Sequence, residues 1–193
     1  LQARHECLSA TPANLEPHES ALCRPAPALR LPAMAVTLDQ LEQFLVARKL
    51  RYRREKDHLV VGFRSEQFRD ERGRDGIAVA VRIDEQGRYV EFVAPGLYCS
   101  RGCRHISALF QALLEVTMRT KMIRFELDPT DGEIRCTVQC PIEDGTLTAK
   151  QFDRILDGLR NAVDRWHPVI RRAMDTGVVN LDAPRPIIAA LPG

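Results

Sequence analysis

The amino-acid sequence predicts an α+β domain in which helices pack against a mostly antiparallel sheet, in the order α-β-β-β-β-α-β-β-α. Three segments repeat apolar residues at helical spacing, and six shorter segments have the length and residue content of strands. Neighbouring strands are separated by short turns, and strands joined in this way pair antiparallel. Helices beside such a sheet bury their apolar faces against it, which gives the α+β class.

The first helix begins with a cap. Thr37 and Gln40 have the spacing of a capping box, with Thr37 as the N-cap residue and Gln40 at the third helical position. One apolar helical face follows, formed by Leu38, Leu41, Phe44 and Leu45. We expect this helix to end near Leu50.

Four strands follow the first helix, with the expected bounds 51–55, 59–64, 77–83 and 88–93. Residues 56–58 connect the first two strands, and Asp84-Glu-Gln-Gly87 is a typical hairpin turn between the last two. Residues 65–75 are charged and contain Phe68 as their one large apolar residue, so they predict a loop.

The middle helix is expected over residues 100–120. Its apolar residues are Ile106, Leu109, Phe110, Leu113, Leu114, Val116 and Met118. At 100° per residue they cover an arc of roughly 200°, wider than the ~100° stripe that one core requires. We therefore expect a second buried face, covered by another helix of the same domain or by a second subunit.

Two more strands and a final helix complete the domain. Residues 122–127 and 133–140 are expected to form a hairpin around the turn Asp128-Pro-Thr-Asp-Gly132. The last helix begins with a second capping box, Thr148 and Gln151, and Leu147 is placed to contact Phe152. Its apolar face consists of Phe152, Ile155, Leu156, Leu159, Val163, Trp166 and Ile170. Pro168 is expected to kink or split this helix, and Gly177 to cap it.

Proline-rich segments at the two ends set the expected domain bounds. Five of the 12 prolines fall before Met34, where no helical or strand period is sustained. We expect a flexible arm over 1–36, a single domain over 37–177 and a tail over 178–193. Met34 directly precedes the first helix, so either it is the native start or the upstream residues are an ordinary disordered arm.

Composition narrows the classes of function and location. The 193 residues are 45% hydrophobic and 28% charged, with a net charge of +2, as in an ordinary globular protein. Near-neutrality argues against a dedicated nucleic-acid binder. Apolar runs of the length of a signal peptide or a membrane span are missing, so we expect a cytoplasmic protein without a membrane partner.

The six cysteines include two pairs with a spacing of four, Cys99 with Cys103 and Cys136 with Cys140. The second pair lies on a predicted strand, where four residues span ~13 Å. Two thiolate ligands of one zinc ion lie under ~4 Å apart, so we expect no metal site. Cys99 and Cys103 flank a helix start beside two arginines, which would favour a redox-sensing thiol; otherwise they are small apolar residues in a reducing cytoplasm.

The densest charge feature is a basic stretch at residues 48–56, which also contains Tyr52. Its cations are Arg48, Lys49, Arg51, Arg53, Arg54 and Lys56. They could bind an anionic partner such as nucleic acid. Alternatively, they are the solvated end of a helix and an edge strand whose charges discourage edge pairing. The sequence contains no motif that indicates a catalytic residue or a cofactor.

Residues 122–144 carry a resemblance to a known family. Phe125-Glu-Leu-Asp128 ends a strand, a glycine-containing turn follows, and the next strand runs into Pro141-Ile-Glu143. Leu147-Thr148 then precedes the final helix. This pattern resembles the YbjN-type family, the bacterial sensory transduction regulators, which have a type III secretion chaperone-like fold.

The resemblance implies a small α+β domain that binds proteins, often as a dimer, with no known catalysis. The wide apolar arc of the middle helix agrees with dimerisation, and Phe110, Leu114 and Met118 lie on one flank of that arc. We therefore expect a non-catalytic, chaperone-like regulatory module that forms a homodimer and binds a protein or peptide client. The alternatives are a nucleic-acid-associated regulator that uses the basic stretch and a thiol sensor at Cys99 and Cys103.

Overall fold

The computed structural model describes residues 36–143 and 145–181. The predicted arm except for Val36, which is buried, lies outside these residues, as do Met34 and most of the predicted tail. No helix in the described part is both long and apolar enough to cross a membrane.

The element order matches the prediction, α-β-β-β-β-α-β-β-α. The helices are α1 Leu38–Ala47, α2 Ile106–Arg119 and α3 Ala149–Thr176. The strands are β1 Tyr52–Arg54, β2 His58–Arg64, β3 Gly76–Asp84, β4 Tyr89–Cys99, β5 Arg124–Leu127 and β6 Glu133–Pro141.

The six strands form one sheet in the order β1-β2-β3-β4-β6-β5, and every neighbouring pair is antiparallel. Alternate residues of the inner strands are buried, as a strand with one core-facing side requires. The buried residues on this side are Leu59, Val61, Ile77, Val79, Val81, Val90, Phe92, Ala94, Ile134, Cys136 and Val138. They join the buried residues of the three helices in one hydrophobic cluster, which confirms the α+β class.

Two helix boundaries differ from the prediction. Helix α1 ends at Ala47, because Arg48 caps it and Lys49 adopts a φ of +54°. Helix α2 begins at Ile106 instead of residue 100, because residues 100–103 form a tight turn closed by a Cys103 N to Ser100 O bond of 3.2 Å. Gly102 lies in that turn with a φ of +74°, a conformation that a helix excludes.

Strand β4 is longer than predicted and runs on to Cys99. Its pairing with β6 shifts register between Ala94 and Tyr98, and Gly96 within this bulge has a φ of +63°. Pro95 and Gly96 interrupt the alternating pattern, so the sequence predicted an end at residue 93. A bulge tolerates both residues inside a strand.

The ends of α3 agree with the prediction. Thr148 and Gln151 form the complete capping box, and Gly177 caps the other end with a φ of +74°. Thr37 caps α1 by accepting a bond of 3.2 Å from Gln40 N. Of the two effects expected of Pro168, a kink or a split, the split is wrong, since α3 continues through this exposed residue to Thr176.

Candidate functional site

The apolar residues of α2 are divided between two opposite sides of the helix. Leu109, Ala112, Leu113 and Val116 are buried in the core. Leu114 and Met118 are 72% and 75% exposed. At about 100° per residue, these two lie roughly opposite the buried side. They form the centre of what we call the α2 outer face, with the exposed Ser107 and Gln111 at its polar border.

Phe110 has a different position from Leu114 and Met118. Its ring is partly buried and packs against the core cluster, at the boundary between the two sides of α2. The three predicted interface residues therefore lie on one helix, but only Leu114 and Met118 project into solvent. We expected the second face of α2 to be covered either by another helix of the domain or by a second subunit. Within the described residues, no other helix covers the α2 outer face.

Polar residues border the α2 outer face. Gln111 Nε2 donates to Glu115 Oε1 over 2.9 Å, and Arg119 forms an ion pair with Glu115 at 3.4 Å. An apolar centre with a polar border is the general pattern of protein interfaces. The arrangement therefore suits contact with another protein surface.

The position of α2 is fixed at its start by the end of α3. His105 is the residue before α2, and its ring lies against Gly177, the cap of α3. A Cβ atom added at Gly177 would lie 2.8 Å from Nδ1 of His105. Glycine thus permits close contact between the start of α2 and the end of α3.

The predicted basic stretch is extensively paired within the domain. Arg48 reaches across to α3, where it contacts Asp157 at 2.9 Å and Asp153 at 3.3 Å. Its side chain is only 26% exposed. Burial alone would lower the pKa of Arg48, but the bonds to Asp157 and Asp153 outweigh it and raise the pKa.

The edge strand β1 carries two more paired arginines. Arg54 contacts Asp39 at 2.7 Å and also forms an ion pair with Glu42, and Arg53 contacts Glu55 at 2.5 Å. The carboxylates of these pairs neutralise much of the positive charge of the basic stretch. The exposed cations Lys49, Arg51 and Lys56 complete the stretch.

Sequence reasoning missed a carboxylate that organises the loop at residues 65–75. Asp164 of α3 accepts hydrogen bonds from the Ser65 hydroxyl and from the backbone N–H groups of Glu66, Gln67 and Phe68, the last three at 3.1, 2.7 and 2.9 Å. Burial raises the pKa of Asp164, but these four donors stabilise its charged form and hold the pKa below its usual range. Partners 96 to 99 residues apart leave no local signal in the sequence.

A buried histidine supports the same loop. His167 Nε2 accepts a hydrogen bond from Arg69 N at 3.4 Å, and its Nδ1 lies 3.3 Å from the Tyr98 hydroxyl. Its ring stacks on Tyr98 and contacts Phe68 edge-on. Burial, and then the nearby charge of Arg171, lower the pKa of His167 to about 4. The backbone donor at Nε2 places the proton of the neutral ring on Nδ1.

The four described cysteines are all unpaired thiols. Cys99 and Cys103 are half-buried beside the turn at residues 100–103, whereas Cys136 is fully buried in β6. Within the described residues, no group of three or more His, Cys, Asp and Glu side chains is arranged to hold a metal ion.

Comparisons with known proteins place this geometry in context. No family model matches the sequence, and no curated protein matches it. The crystal structure of YbjN, a proposed transcription regulator from E. coli, is similar with a TM-score of 0.52 and 12% identity, over 72% of this chain and 91% of that one. The HopA1–SchA chaperone–effector complex gives a TM-score of 0.45 and 12% identity, over 66% and 90% of the two chains. The likeness to YbjN shows that this chain has the same kind of fold.

Proposed function

We propose that this protein is a non-catalytic, chaperone-like regulatory module that forms a homodimer through the α2 outer face and binds a protein client. The exposure of Leu114 and Met118 is the observation that carries this proposal. Large apolar side chains at the middle of a polar helix surface are typical of an interaction site. The resemblance to YbjN-type proteins supports the protein-binding role. We also propose that the protein is cytoplasmic and bacterial.

A second copy of the chain is a suitable partner for this face. In a twofold symmetric dimer each copy presents the same surface, so an apolar centre meets an identical apolar centre. The polar border of Gln111, Glu115 and Arg119 can then remain hydrated at the edge of the interface. Phe110, already half-buried, would extend the contact toward the core.

Light scattering after gel filtration tests the dimer. The full chain should elute with twice its mass of 21.8 kDa. Leu114→Arg should shift it to the monomer mass, because a buried unpaired cation strongly opposes association. Gln43→Arg makes the same change in charge at an exposed position of α1 and should leave the dimer intact. A wild-type monomer at every accessible concentration contradicts the proposal.

The client is tested separately by affinity capture from the source organism followed by mass spectrometry. We expect one or a few proteins to be enriched reproducibly over a column without the bait, and then to bind again as purified proteins. If no captured protein binds the purified chain directly, the client-binding part of the proposal is wrong.

The alternative function is a nucleic-acid-associated regulator that uses the basic stretch. Its remaining exposed cations, Lys49, Arg51 and Lys56, are the groups that could contact phosphates. Binding of generic DNA or RNA should then weaken steeply with salt, and Arg51→Ala with Lys56→Ala should reduce the slope. If neither nucleic acid binds at low salt, this alternative is eliminated.

A further inference from the structure

The turn that follows β4 brings two cysteines to the wall of one cavity. Cys99 is the last residue of β4, and Cys103 closes the tight turn through its bond to Ser100 O. Both side chains line a cavity of about 320 Å³. The two ends of this turn are Ser100 and Cys103, whose Cα atoms lie within about 7 Å of each other, and Cys99 directly precedes it. The reversal of the chain therefore places Cys99 and Cys103 on the two sides of one tight turn.

We propose that Cys99 and Cys103 are a redox-active dithiol that a hydroperoxide converts reversibly into an intramolecular disulfide. This site is separate from the α2 outer face, and the proposal does not depend on dimerisation. Cys103 lies three residues before Ile106, so the bond would form at the entrance to α2.

The walls of the cavity suit this chemistry. Arg101, Arg104 and Arg171 line it together with two carboxylates, so cations outnumber anions. Arg171 is paired with Asp175 at 3.1 Å, and Arg101 donates to Thr130 O. Reduction of a hydroperoxide releases hydroxide or alkoxide, an anion that guanidinium groups stabilise.

The reaction balances over two steps. In the first, one thiolate attacks the O–O bond of the hydroperoxide; an S–O bond forms, and the other oxygen leaves as hydroxide or alkoxide. In the second, the neighbouring thiol attacks the sulfenic sulfur, the S–S bond forms, and water leaves. Two electrons pass from the two sulfurs to the hydroperoxide, and a dithiol reductant returns them.

The other two described cysteines provide an internal contrast. Burial raises the pKa of Cys136 to about 12, so its thiol stays protonated and unreactive. Burial also raises the pKa of Cys140. The two lie four residues apart along the extended strand β6, a separation of ~13 Å that no disulfide spans.

Mass spectrometry of the full chain tests the dithiol directly, because trypsin cleaves after Arg101 and Arg104. After treatment with one equivalent of hydrogen peroxide, peptide 89–101 should be linked to peptide 102–104, with the loss of two hydrogens. Dithiothreitol should separate the two peptides. Cys99→Ser or Cys103→Ser should abolish the link, and Cys140→Ser should leave its yield unchanged.

Three results would overturn the proposal. One is oxidation of Cys99 or Cys103 to sulfinic acid without the linked peptide. Another is preferential linkage of either residue to Cys7 or Cys23. The third is oxidation of Cys99 and Cys103 no faster than that of Cys140. All three are read on the wild-type chain, so they do not depend on the folding of any variant.

Discussion

At the scale of single residues, the carboxylate of Asp164 accepts four hydrogen bonds from residues distant in the sequence. Its charge compensates four donors of the loop at residues 65–75. Asp164→Asn should lower the free energy of unfolding by about 1–3 kcal/mol, because an amide cannot accept all four bonds. Asp75→Asn, an exposed change in the same loop, should have little effect. Urea unfolding measures both variants, and equal stability of the two contradicts this role of Asp164.

His167 predicts a pH dependence of stability. Its pKa is about 4 in the folded protein, below the ordinary value of 6.5, so between these values the unfolded chain binds the proton more readily. The contribution of His167 is therefore fully present above pH 6.5 and is lost as the pH falls to about 4. Arg69, Arg171, Asp164 and Asp175 are the charged groups around it.

His167→Gln tests this prediction, since glutamine keeps an acceptor for Arg69 N but cannot titrate. The unfolding free energy of the wild type should fall more steeply than that of the variant between pH 6.5 and 5. This range lies above the ordinary pKa values of carboxylates. Parallel pH profiles would show that His167 does not titrate in this way.

At the scale of elements, the junction between α2 and α3 depends on Gly177. Gly177 and Gly73 have the same φ of +74°, but a Cβ at Gly73 meets no atom within 4 Å, whereas at Gly177 it would lie 2.8 Å from the His105 ring. Gly73→Ala should cost about 1 kcal/mol for its backbone conformation alone. Gly177→Ala should cost about 1 kcal/mol more, since the ring must move. Equal losses in urea unfolding would show that this contact does not matter.

Most elements could be predicted because their signals are local. The capping box of α3 and the alternation of β3 lie within a few consecutive residues. The start of α2 was predicted too early, although residues 100–105 contain only one apolar residue, Cys103. Gly102 in this segment allows the turn that delays the helix. The extension of β4 was missed because Pro95 and Gly96 normally end a strand, whereas here they occupy a bulge.

The candidate sites were likewise predictable only where their signals are local in the sequence. Helical periodicity alone placed Leu114 and Met118 on one flank, and the structure leaves both exposed. The pairing of Arg48 with Asp153 and Asp157 could not be predicted, because more than 100 residues separate them and only the packing of α1 on α3 brings them together. The shared cavity of Cys99 and Cys103 likewise depends on the tight turn between them.

At the scale of the whole molecule, one sheet and three helices bury the core, and no other described residue covers the α2 outer face. A stable interface buries at least about 1,000 Å² in total, so Leu114 and Met118 would form the centre of a larger contact. In the proposed dimer this face is covered. The accessibility of Met118 in the assembled protein therefore distinguishes a dimer formed through this face from a monomer.

Oxidative footprinting of the wild-type chain over a range of protein concentrations measures this access directly. Met118 is 75% exposed and Met122 is 61% exposed in the single chain, so both should be oxidised readily in a monomer. We expect the oxidation rate of Met118 to fall severalfold as the concentration rises and the dimer forms. A rate for Met118 that stays as high as the rate for Met122, from the most dilute to the most concentrated sample, would contradict the proposed dimer.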